Sequence, residues 1–289
     1  MQSVPATSTS VAVPPAGSTK DHWNQHARQW NWVSSPLRPA TEDVAIAASA
    51  VQQWSDTHQP ARLSTVLLGV TPELARMPWP VDTQLLAVDR SEPMIHSLWP
   101  EDLPHSSVVC GNWQSLPLPA ASQQVVLGDG CFVLLDWPAT WQAVLQEVHR
   151  VLQPGGLFIM RYFLRPDHPE TIDEVFARLQ QGRIGNFHAF KWRLAAALHG
   201  TLAQGVRIAD VWHEWHTRVP NPQTLADQLG WPLEVVSTIN NYRDAPAGYT
   251  FPTLVEARQA LSRQFHELSC TFPGYELGDR CPTFVMERT

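Results

Sequence analysis

The chain has 289 residues, 44% of them hydrophobic and 16% charged, with a formal net charge of −7. That is a globular composition, of a length that suits one large domain or one domain with a substantial insert. The acidic balance and the lack of a basic run argue against nucleic acid or an anionic membrane as partner. Cys110, Cys131, Cys270 and Cys281 stand far apart with no CxxC pair. A zinc site or disulfide framework is therefore not expected, and a reducing cytoplasm is the expected location. No apolar run approaches the roughly 20 residues of a membrane span.

Residues 1–20 lack the basic start and sustained apolar region of a signal peptide. They are rich in Ser, Thr, Pro and Ala and read as a flexible tail. Residues 21–33, DHWNQHARQWNWV, suit a short helix with aromatics on one side, broken by Ser35–Pro39. Thr41 can cap a helix running with apolar spacing through Ala45, Ala48 and Val51 to about Trp54. Residues 21–56 are thus expected to form a helical lid. Over 57–163 strands alternate with helices. Strands are expected at Thr65–Val70, Gln84–Asp89, Ser107–Cys110 and Gln124–Gly128. Ser91 can cap a short helix through Met94 and Leu98. Ala139–Leu152 is amphipathic, with Trp141, Val144, Leu145, Val148 and Leu152 on one stripe. Gln153–Gly156, QPGG, turns it into a fifth strand from Leu157. Short apolar strands separated by helices imply a doubly wound, mostly parallel sheet covered on both faces.

After Phe163 the pattern becomes helical: 169–181, 186–203, 221–231 and Pro252 to about His266. Residues 164–266 are read as an insert that forms a substrate-binding wall. Residues 267–289 are read as a terminal hairpin that completes the sheet. Thirteen tryptophans is a high count. They either pack helices onto the sheet or wall an aromatic pocket.

Three features stand together: a strand-end Gly69 with Asp89 twenty residues on, the run VVCGNWQSLPLPAASQQVVL, and a helix ending EVHRVLQPGGLFIMRYF. In this combination Ser64–Phe163 resembles the class I S-adenosylmethionine-dependent methyltransferases. Arg150, Leu152, Pro154, Gly155 and Gly156 reproduce the family's R-x-L-x-P-G-G ending. The resemblance implies a seven-stranded sheet, S-adenosylmethionine as cofactor and methyl transfer to an acceptor. The first turn departs from the family, since only Gly69 remains of its glycines. Thr71 as N-cap and Pro72 at the first helical position can rebuild it.

The resemblance also implies roles. Asp89 would accept the ribose hydroxyls, Asn112 would serve the adenine edge, and Met94 and Trp113 would sandwich the purine. Asp129, between Gly128 and Gly130, would meet the cofactor ammonium or the substrate. Gly69 and Thr71 complete the expected cofactor set. G-x-G-x-x-G is absent, against a nicotinamide cofactor, and no Gly-Lys-Ser/Thr suggests a P-loop.

Methyl transfer needs position and alignment rather than a metal. His213-Glu214-Trp215-His216 is a dense His/acid group, but its spacing is wrong for helical zinc ligation. His188, His213 and Tyr162 are candidate general bases. Trp30, Arg38, Arg161 and Arg193 are candidate substrate contacts, and a small, partly apolar acceptor is expected. Two alternatives stay open. One is intramolecular attack by the cofactor's own amine, giving azetidine-2-carboxylate and methylthioadenosine. The other is a non-catalytic partner subunit of the same fold. Homodimerisation is also open.

Overall fold

The computed structural model describes residues 29–289. The tail 1–20, and the part of the first helix that holds Trp23, lie outside the described residues. Of the expected 21–33 helix, one 3-10 turn at Trp30–Trp32 is seen. The main sheet begins with β1 (Leu63–Leu68), β2 (Thr83–Asp89), β3 (Ser106–Cys110), β4 (Gln123–Asp129) and β5 (Leu152–Arg161). A separate two-stranded ribbon joins β6 (Val206–Arg207) and β7 (Gly248–Tyr249). The terminal hairpin, β8 (Phe265–Thr271) and β9 (Thr283–Arg288), closes the main sheet. Its seven strands run in the order β3-β2-β1-β4-β5-β9-β8. The first five pair in parallel, and β9 lies antiparallel between β5 and β8.

Ten α-helices are described: α1 (Thr41–His58), α2 (Pro72–Ala75), α3 (Glu92–Leu98), α4 (Ala139–Val151), α5 (Ile172–Gln180), α6 (Phe187–Leu198), α7 (Ile208–Arg218), α8 (Pro222–Leu229), α9 (Leu233–Ser237) and α10 (Leu254–Leu261). Side chains alternate along a strand, so each buried strand feeds two cores. Leu63 and Leu67, Val125 and Leu127, Leu157 and Ile159 pack with Val51 and Trp54 of α1. Val66, Leu68, Val126, Phe158 and Met160 pack with Trp141, Val144 and Val148 of α4. The Trp54 indole N–H also donates to the Gly155 carbonyl at 2.8 Å, which pins α1 to the start of β5.

Several elements differ from expectation. Thr41 is the first helical residue of α1 rather than its cap, and the Asp43 carboxylate accepts from the Ala40 N–H at 2.8 Å instead. The QPGG segment does not separate helix from strand. β5 starts at Leu152 and crosses it as a bulge, with pairing shifted between Gln123 and Val125 and Gly155 at φ +74°. α7 was not expected. It carries Ile208, Val211, Trp212 and Trp215 on one buried stripe, so the HEWH group belongs to an amphipathic helix.

The segment between β5 and α10 has a hydrophobic core of its own. Phe187 stacks on Phe190 at 5.7 Å, and both meet Trp215, at 5.1 and 5.3 Å. Lys191 is 2% exposed in this region. Its ammonium donates to Thr238 Oγ1 at 2.9 Å and lies over the rings of Tyr242, at 5.1 Å, and Phe187. Burial pushes its pKa down to about 7. The unfolded chain keeps this proton up to about pH 10.4, so between these values it binds more protons than the native state. Stability therefore rises with pH across that window, by up to about 1.4 kcal/mol per unit. Lys191→Met is expected to be the more stable protein at pH 7, with the gap narrowing towards pH 10. Urea midpoints of parent and variant across that range check it.

Candidate functional site

In an open α/β sheet the crevice lies beyond the carboxyl ends of the strands where their order reverses, here between β1 and β4. A cavity of about 420 Å³ sits there. β1 ends at Leu68, and Gly69 continues the ladder with its N–H on the Val88 carbonyl at 2.8 Å. Gly69 has φ +92°, a conformation that favours glycine. A side chain there would point at Asp89 Oδ2, 3.8 Å away, and at the Trp113 indole, 4.0 Å away. Its absence leaves the space between those groups open. Asp89 closes β2, and its Oδ1 accepts from the Ser91 N–H at 2.8 Å. Burial raises its carboxyl above the ordinary carboxylate range, against the pull of that amide. Ser91 caps α3 through the Met94 N–H at 3.4 Å, which brings Met94 to the cavity.

Gly69, Thr71, Asp89, Met94, Asn112, Trp113 and Asp129 all line this one cavity. Three of them are held differently from expectation. Thr71 occupies the N-cap position of α2, but its hydroxyl makes no capping bond. The helix is a single turn, and Thr71 contributes its carbonyl, accepting from the Ala75 N–H at 3.0 Å. Asn112 Oδ1 accepts from the Gln114 N–H at 3.0 Å and so shapes its own loop. The Trp113 indole N–H is committed to the Val88 carbonyl at 2.6 Å, which lays the ring beside Gly69.

Asp129 is gripped by Arg161: Nε donates to Oδ1, and Nη2 to Oδ2 at 2.9 Å. The same guanidinium donates through Nη1 to the Pro36 carbonyl at 2.9 Å and the Tyr275 hydroxyl at 2.8 Å. Asp43 stands 3.7 Å from it. Burial raises the Asp43 carboxyl, opposed by Arg161. Arg161 is thus a buried structural cation, not a substrate contact. The other two arginines proposed from sequence are also paired with carboxylates, though less deeply buried. Arg193 pairs with Glu170 at 2.7 Å. Arg38 pairs with Glu73 and lies 5.3 Å over the Trp30 ring. Trp30 itself lines the cavity.

The candidate bases lie elsewhere. Tyr162, the residue after β5, is sealed among Phe132, Trp141 and Phe284 on the side of the sheet that meets α4. His188 is fully buried and binds the Trp32 carbonyl at 2.8 Å, joining α6 to the N-terminal turn. His213 is exposed on α7 and binds the Ala209 carbonyl at 2.7 Å. Its neighbour His216 stacks on Trp212 at 4.6 Å. Among the described residues no group of three or more His, Cys, Asp or Glu could hold a metal ion.

The sequence reading assigned the far wall to the insert and its tryptophans without fixing which residues form it. Beyond Gly130 the cavity is lined by Leu37, Val133, Leu134, Phe163, Trp192, Tyr242 and Tyr249. Gly130, at φ +62°, sits under Phe163, and a Cβ there would stand 2.3 Å from Cε2 of that ring. Phe163 meets Trp192 edge to face at 4.9 Å, and Trp192 meets Tyr249 at 4.9 Å. The Tyr249 hydroxyl donates to that of Tyr242 at 3.3 Å. Burial raises both phenols, Tyr249 to about 12. The insert docks here through the Thr250 N–H on the Val133 carbonyl at 2.8 Å.

Residues 69–160 match the family model described as a methyltransferase domain. No curated protein matches the chain. A Rhodobacter sphaeroides protein, provisionally named as a zinc-dependent alcohol dehydrogenase, superposes with a TM-score of 0.60 at 12% identity. The match covers 96% of this chain and 100% of that one, and it shows a shared fold. An Aquifex aeolicus S-adenosylmethionine-dependent methyltransferase gives 0.48 at 11% identity, over 92% of this chain and 98% of that one. The Bradyrhizobium japonicum N-methyltransferase NodS, solved with S-adenosylhomocysteine, gives 0.45 at 8% identity, with the same coverages of 92% and 98%.

Two outcomes follow from this geometry. Arg161→Met leaves Asp129 and Asp43 without their cation, and should cost about 3–5 kcal/mol in urea unfolding. Gly130→Ala drives a methyl into the Phe163 ring at a strained φ, and should cost about 1–3 kcal/mol by the same measurement.

Proposed function

We propose that this chain, whose residues 69–160 match a methyltransferase domain, is a class I S-adenosylmethionine-dependent methyltransferase that methylates a small molecule held in the aromatic chamber beyond Gly130. The observation that carries this reading is the single cavity shared by Gly69, Asp89 and Asp129 at one end and Phe163, Trp192 and Tyr249 at the other. The residues present fit the cofactor. The open space over Gly69, between Asp89 and Trp113, suits a nucleoside whose hydroxyls meet a carboxylate. When bound, S-adenosylmethionine supplies an electrophilic methyl on a sulfonium sulfur.

In this reading Asp89 accepts the ribose hydroxyls through Oδ2, its Oδ1 being steadied by Ser91. Met94 and the loop Asn112–Gln114 flank the base. Asp129 presents negative charge where the amino-acid tail would end, and Arg161 fixes its direction. The chain contributes alignment and exclusion of water, which suits an in-line displacement needing no metal. A wall of packed rings on the acceptor side suits a small molecule and leaves little room for a folded protein or a nucleic acid. Trp30 covers the cavity from the N-terminal side, with Arg38 stacked over it and tied to Glu73 on α2.

Isothermal titration with S-adenosylhomocysteine tests the reading directly, and absence of binding at millimolar ligand would remove it. Asp89→Ala should weaken that binding by a factor of 10 or more, since each charge-assisted bond contributes about 1.5–3 kcal/mol. An unchanged affinity would take Asp89 out of the site.

A further inference from the structure

The acceptor chamber is short of two things that methyl transfer often requires, and the shortage narrows the substrate. The first is a general base. Among the described residues that line the cavity there is no His, Lys or Glu; of its three aspartates, Asp89 and Asp129 are assigned above to the cofactor, and Asp136 is exposed to solvent. Both oxygens of Asp129 are taken by Arg161. The Tyr242 and Tyr249 phenols are held neutral by burial, so they can donate hydrogen bonds but do not draw a proton near neutral pH. Cys131 is committed to the Leu68 carbonyl at 3.1 Å, and burial raises its thiol.

The second is a cation to hold an anionic acceptor. Arg90 is the one basic side chain among those lining residues, and it follows β2 at the opposite end. Arg38, Arg161 and Arg193 are each paired with carboxylates. A phenolate, thiolate, enolate or carboxylate would have to enter this chamber without a partner, at a large desolvation cost.

What the chamber does offer is ring faces. Phe163, Trp192 and Tyr249 follow one another at 4.9 Å, at 88° and 69°, so the planes turn corners instead of stacking. Rings set at right angles around a space present both faces and edges to it, and faces attract cations. The Trp192 indole N–H is buried without a hydrogen-bond partner, and the residue is 6% exposed.

We propose that the acceptor is a neutral amine on a small, largely apolar framework, and that the rings of Trp192 and Tyr249 hold the ammonium it becomes, since Phe163 already carries the Arg161 guanidinium 5.0 Å from its centroid. The amine lone pair forms the N–C bond as the methyl C–S bond breaks, and the sulfur keeps that electron pair and becomes a neutral thioether. The positive charge passes from sulfur to nitrogen and is not annihilated. If the acceptor is a primary or secondary amine, the product ammonium can later give its proton to water. No side-chain base is needed in the transfer, and a site that suits a cation at the start suits one at the end.

This rests on the methyltransferase reading, so the test separates the two. Three probes share one framework: 3-(trimethylammonio)phenol, its uncharged isostere 3-tert-butylphenol, and the anion 3-hydroxybenzoate. Each is titrated into the full chain at pH 7 with S-adenosylhomocysteine present. The ammonium should bind at least 10-fold more tightly than the isostere, and the anion most weakly. Trp192→Leu should lower ammonium affinity 10-fold or more with S-adenosylhomocysteine affinity unchanged. Equal binding of ammonium and isostere in the unmodified protein, or preference for the anion, overturns the proposal and leaves methyl transfer standing. Failure of S-adenosylhomocysteine to bind removes both.

Discussion

Burying the Arg161 guanidinium at the carboxyl end of β5 demands partners for its N–H groups, and those partners come from separate stretches of chain. Asp129 ends β4, Pro36 precedes α1, Tyr275 stands in the loop before β9, and Asp43 lies in the first turn of α1. Tyr275 also donates to Asp43 Oδ1 at 3.1 Å, so the partners are linked among themselves. The N-terminal segment, the sheet and the C-terminal hairpin therefore meet at one charge. A buried cation with bidentate carboxylate pairing fixes direction more strictly than apolar packing does. The wall of the cavity that includes Asp129 inherits its position from that constraint.

The far wall is held by different physics. Phe163 leaves β5 and joins the core of the insert, together with Val133 from the turn after β4. Ring contacts pass from Phe163 through Trp192 and Tyr249 to Phe251. Gly130 stands between the two walls, next to the ion pair and beneath the first ring. Its own N–H binds the Arg161 carbonyl at 3.0 Å. Charge thus orients one side of the cleft and interlocking rings shape the other, with a glycine as the junction.

The strands from β1 to β4 were legible because continuous apolar runs ended at a glycine or an acid, and the cavity forms at those ends. Gly69, Asp89, Met94, Asn112 and Trp113 could be found for the same reason. Arg161 could not be read as structural, because its partners lie 32 residues away at Asp129 and 125 away at Pro36. Its position at the strand end suggested a ligand contact instead. The QPGG segment reads as a stop because Pro and Gly usually mark one, yet β4 supplies a partner strand that carries the chain through as a bulge. β6 and β7 have two residues each and leave no periodic trace. Tyr242 and Tyr249 reach the cavity through tertiary packing of that insert, which no local pattern encodes.

The insert between β5 and α10 buries its own cluster of aromatic and aliphatic side chains, apart from the two cores that hold the sheet. The loops at the ends of β1 and β2 take no part in that cluster. A change in residues 164–253 can therefore reshape the far wall of the cavity while the strand-end loops keep their geometry. Such an arrangement is modular in the evolutionary sense: a lineage can reshape the far wall of the cavity by remodelling a helical cap, with the strand-end half of the cleft inherited intact.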